Sequence, residues 1–93
     1  MTVAEWTKIR RELKRDFERA GVTYCQICGS QGGVLGLSFA HRLKRRFIHD
    51  PIEKRMVALV CTYPCHEKLD LGPKDVMYET VTRLNQEVYA QLS

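Results

Sequence analysis

No apolar run in this 93-residue chain approaches the roughly 20 residues a helix needs to cross a bilayer, so a membrane-embedded protein is not expected. The opening Met-Thr-Val-Ala-Glu-Trp-Thr-Lys lacks the basic-then-apolar layout of a secretory signal, and a cytoplasmic protein is the expectation. There is no internal repeat, linker or low-complexity tract, and the length suits a single domain spanning 1–93. Asparagine occurs once, as Asn85. Hydrophobic residues at 44% and charged residues at 28% are ordinary for a globular chain and argue against disorder. A domain this small buries little surface, so burial alone leaves it marginal.

What is present is more telling. Four cysteines fall in two close pairs, Cys25-Gln-Ile-Cys28 and Cys61-Thr-Tyr-Pro-Cys65, and the second runs into His66. That spacing fits one tetrahedral zinc site, with Cys25, Cys28, Cys61 and Cys65 as ligands and His66 as an alternative to its neighbour Cys65. A structural zinc can contribute about 10–16 kcal/mol of apparent folding free energy, against about 5–15 kcal/mol of net stability for a typical domain. Disulfides are the competing reading, but a reducing cytosol favours thiolates. A redox role for Cys25-Gln-Ile-Cys28 lacks the βαβ context of a thioredoxin-like motif.

The formal charge is +4, and the excess is central. Residues 41–55 hold six basic side chains, Arg42, Lys44, Arg45, Arg46, Lys54 and Arg55, against Asp50 and Glu53. A polyanion would find its footing there, although a solvated basic loop has the same composition.

Residues 3–20 read as an amphipathic helix: Thr2 and Glu5 form a capping box, and Trp6, Ile9, Leu13, Phe17 and Ala20 recur at helical spacing. Gly29, Gly32 and Gly33 suit the tight turns of a zinc knuckle. Val34–Ala40 reads as a strand ending at His41, with Arg42–Ile48 returning as its hairpin partner or as a loop. Residues 55–60 are a short apolar approach to the second cysteine pair, and a short helix starts at Cys65 or His66. Pro73 introduces a helix over 74–91 whose stripe is Met77, Val81, Leu84 and Val88. The expected fold is α+β: a small zinc-stabilised core over about 22–70, flanked by the two terminal helices.

The segment Cys25-Gln-Ile-Cys28…Leu37-Ser-Phe-Ala-His41-Arg-Leu-Lys-Arg-Arg46…Val60-Cys-Thr-Tyr-Pro-Cys-His66-Glu-Lys68 resembles the HNH family of ββα-metal endonucleases, in particular its small phage and bacterial members. The resemblance covers about half the chain and leaves both terminal helices unexplained. It implies a ββα-metal core, a bacterial or phage-infected host cell, and DNA as partner. By this likeness His41 is the general base that activates water. His66 holds magnesium or another divalent cation, and the cysteine zinc is purely structural. An imidazole titrates near pH 6.5 and suits a base at neutral pH. Arg42, Lys44, Arg45 and Arg46 would contact phosphates.

The motif is degenerate. The position before the base, where the family usually carries a ligand, is Ala40, and the family's central asparagine falls on Met56. His49, Asp50 and Glu53 are the nearby residues able to substitute. Two functions are therefore carried forward. One is an HNH-like endonuclease or nickase acting on DNA. The other is a catalytically inactive zinc module of the same shape, binding nucleic acid or a protein. The residues alone also allow His41 to cap a hairpin or contact a phosphate. Oligomeric state is not written in the sequence.

Overall fold

The structure is a computed structural model and describes residues 2–92, with the side chain of Arg45 outside the described set. Helix α1 (Val3–Arg19) opens with the expected capping box: the Glu5 N–H donates to Thr2 Oγ1, and the Thr2 N–H donates to the Glu5 carboxylate. Leu13 and Phe17 are the buried centre of its apolar stripe. The long closing helix, α4 (Lys74–Gln91), buries Met77, Val81, Leu84 and Val88, with Asn85 among them.

Between these helices lies one antiparallel hairpin, β1 (Leu37–His41) and β2 (Val57–Cys61), with Phe39 opposite Leu59 and His41 opposite Val57. Two sequence expectations are settled here. The strand begins at Leu37 rather than Val34, because residues 33–35 close a tight turn in which the Gly36 N–H donates to Gly32 O at 3.0 Å. Gly32 has φ of 91°, and a Cβ there would meet the Gly36 carbonyl carbon at 2.4 Å, so only glycine makes this turn. Secondly, of the two readings for Arg42–Ile48 the loop holds, and the hairpin partner is the run Val57-Ala-Leu-Val-Cys61. All five residues of β2 are buried, which a continuous apolar run tolerates and a segment with four cations does not.

The strands separate two packed regions. Val57, Leu59 and Phe39 face α1, against Leu13 and Phe17; Ala40, Ala58 and Val60 face α4 and the cysteines. Phe17 and Phe39 meet edge to face at 5.2 Å. After β2 a wide turn over Thr62–His66 leads into α3 (Glu67–Leu71). The short helix α2 (Pro51–Lys54) precedes β2 and is capped by Asp50, whose Oδ1 accepts from the Ile52 N–H at 2.6 Å. Among the described residues the result is four α-helices around a two-stranded sheet.

Candidate metal centre and histidine cleft

The first cysteine pair sits on a knuckle turn after α1. The Cys25 N–H donates to Ser30 O and the Gly29 N–H to Cys25 O, both at 2.8 Å, which folds the loop back on itself. The Cys28 N–H then donates to Cys25 Sγ at 3.4 Å. Gln26 fastens this knuckle to β2: its N–H donates to Leu59 O at 2.8 Å and its Oε1 accepts from the Leu59 N–H at 2.9 Å. The second pair brackets the end of β2 and the turn after it. Four sulfurs, those of Cys25, Cys28, Cys61 and Cys65, thus lie within 4.8 Å of one another.

Bonds of about 2.3 Å at tetrahedral angles would separate thiolate sulfurs by roughly 3.8 Å. Cys28 Sγ and Cys61 Sγ are 3.8 Å apart. The electrostatics differ from one sulfur to the next. The Ser30 hydroxyl and backbone, with Cys25, pull the Cys28 thiol down to about 6. Burial acts upward on Cys25, but surrounding backbone N–H groups, led by that of Cys28, outweigh it and lower the thiol. Burial and the neighbouring sulfurs push Cys65 well above the ordinary thiol range. Four thiolates this close repel unless a positive ion sits among them. The arrangement is fit to hold one metal ion.

Among the described residues this is the one group of three or more His, Cys, Asp or Glu side chains close enough to share an ion. His66 stands outside it. Its Nδ1 lies 2.6 Å from Ser38 Oγ, and its Nε2 lies 3.6 Å from Asp70 Oδ2 on the next turn of α3. His41 closes β1, with its ring centroid 4.7 Å from that of Trp6. Strand alternation turns His41 toward α1 and Ser38 toward α3. Even so, both histidines border one cleft of about 260 Å³ at the outer side of β1, together with Lys44 and Asp70.

The remaining candidates divide. Ala40 is 1% exposed and belongs to the core cluster that includes Met77, Val81 and Leu84 of α4. Arg42 is committed to the fold: it forms a two-point ion pair with Glu53, donates to Thr82 Oγ1 at 3.2 Å and lies over the Tyr78 ring at 4.4 Å. Its side chain is 13% exposed, so the expected phosphate contact is replaced by an internal clamp. Glu53 is occupied by the same pair, and Asp50 caps α2. His49 is exposed. Lys44 and Arg46 are exposed, and the side chain of Arg45 lies outside the described set.

Asn85 has a role that spacing could not reveal. Its Nδ2 donates to Arg55 O at 3.0 Å and to Val57 O at 2.9 Å, holding the backbone opposite His41. Asp70 was visible in principle, four residues after His66 and therefore on the same helical face. Ser38 was visible as the third residue before His41, but nothing in the sequence links it to His66.

Comparison with protein-family models, curated proteins and solved structures returns no match.

Proposed function

We propose that the chain is a small HNH-like endonuclease or nickase that cleaves DNA phosphodiester bonds, organised by one structural zinc on Cys25, Cys28, Cys61 and Cys65. The reading is carried by one observation: His41 from a strand end and His66 from a helix start border the same cleft, with Lys44 beside them. The antiparallel strand pair, with α3 following its second strand, and the sulfur cluster support it as well.

In this reading His41 accepts the proton of the attacking water. Lys44 draws the phosphate into the cleft. The reading takes His66 as the Nδ1–H tautomer, hydrogen-bonded to Ser38 Oγ, which leaves the Nε2 lone pair facing Asp70. A lone pair and a carboxylate facing each other at 3.6 Å suit a shared cation, and Asp70 takes the part that Ala40 cannot. A divalent ion there would supply charge stabilisation to the phosphate and leaving oxygen. The zinc takes no part in the chemistry.

Supercoiled plasmid tests this, incubated with zinc-loaded protein and magnesium, manganese or nickel. The expected result is metal-dependent nicking, lost in His41→Ala and reduced in Asp70→Asn. Absence of nicking with all three metals, while DNA is still bound, rejects cleavage. It leaves the second reading, a zinc module that binds without cutting, which the buried Ala40 favours.

A further inference from the structure

A second cleft adjoins the first and shares Leu43, Lys44 and Met77 with it. It measures about 250 Å³ and is walled by Phe47 and Tyr78, with Lys44, Lys74 and Asp75 as its other charged members besides Arg42. From this we infer that the second cleft is a nucleobase site, receiving an unstacked base of single-stranded DNA beside the phosphate in the histidine cleft. The inference rests on the proposed action on nucleic acid and adds the substrate class.

The loop that carries Phe47 is held at both ends. Arg42 is clamped to Glu53, Thr82 and Tyr78 at one end, and Ile48 is buried at the other. Between these anchors the Phe47 N–H donates to Lys44 O at 2.9 Å, closing a tight turn. The loop therefore holds Phe47 outside although burial of an aromatic ring is favourable. Phe47 stays 52% exposed and Tyr78 39% exposed. Each ring also carries a guanidinium on it, Arg46 over Phe47 at 4.9 Å and Arg42 over Tyr78 at 4.4 Å. The parts of the two rings left exposed offer π surface to a base, and Lys44 and Lys74 on the cleft wall offer positive charge to its phosphates. Lys44 belongs to both clefts, so one chain of nucleotides can occupy them together. A paired, stacked base offers no free face to such walls.

The test is fluorescence anisotropy of zinc-loaded protein, without added magnesium, on a labelled single-stranded oligonucleotide and on its duplex. Phe47 is exposed, so Phe47→Ala should fold normally, and Phe47→Trp keeps an aromatic wall. Phe47→Ala is expected to weaken single-strand binding about 5- to 100-fold and duplex binding less than twofold, with recovery in Phe47→Trp. A 2-aminopurine in the oligonucleotide should lose fluorescence on binding wild type but not Phe47→Ala. Equal losses on both substrates, no loss on either, or no single-strand binding at low salt would each overturn the inference. Binding is read without cleavage, so failed plasmid nicking removes the nuclease reading while a Phe47-dependent single-strand preference keeps the base site.

Discussion

Gln26 and Leu59 bond each other twice, once through each residue's backbone N–H. The Gln26 Nε2 adds a third bond, to Leu84 O at 3.0 Å. One side chain thus ties the cysteine knuckle to β2 and to α4. The strand reaches the sulfur cluster at Cys61, so the knuckle cannot shift without moving a ligand from the second pair.

Gln26→Ala leaves the Leu59 N–H and the Leu84 carbonyl without that partner and should destabilise the zinc-loaded protein by about 1–3 kcal/mol. Gln26→Glu keeps the acceptor for Leu59 and should lose less. Urea denaturation at saturating zinc measures both.

Tyr89 joins the two terminal helices, its hydroxyl donating to Asp16 Oδ2 at 2.9 Å. Burial first, then the Asp16 carboxylate, pushes its ionisation up to about 12. The folded value lies above the unfolded one, near 10, so the stabilisation is fully present below about pH 10. It is lost as pH rises through about 12. Phenolate absorbance should show one of the four tyrosines titrating late. Tyr89→Phe should abolish that step and flatten the alkaline limb of the stability profile.

The two basic residues flanking Leu43 should behave oppositely. Lys44→Ala should leave stability unchanged within about 0.5 kcal/mol and reduce the log–log salt slope of DNA binding by about 0.9. Arg42→Ala should cost about 1–3 kcal/mol in stability by freeing Glu53 and Thr82. Its effect on the salt slope should be small. Denaturation curves and anisotropy titrations at several salt concentrations separate the two.

That contrast marks where sequence reading stops. The stripes of α1 and α4 repeat over several turns, and the cysteine spacings carry their own geometry, so both helices and the sulfur cluster follow from local pattern. The hairpin did not. A five-residue apolar run has no period that separates a strand from a connecting segment, and β2 is identified by what packs on both its faces. Arg42 reads as one more cation in a basic stretch. Its burial depends on Glu53, 11 residues later, and on Tyr78 and Thr82 in another helix. Asn85 likewise finds its partners, Arg55 and Val57, in a distant segment. Each of these is a tertiary contact with no trace in spacing.

The four sulfurs are the premise on which the histidine cleft stands, and metal content tests them most directly. Native mass spectrometry of protein refolded with zinc should show one zinc per chain, with all four cysteine thiols protected from alkylation until a chelator is added. Chelation should then collapse the middle of the domain, with the Cys28 thiolate modified first. Four thiols that alkylate freely in saturating zinc, with no bound metal in the spectrum, would contradict the account.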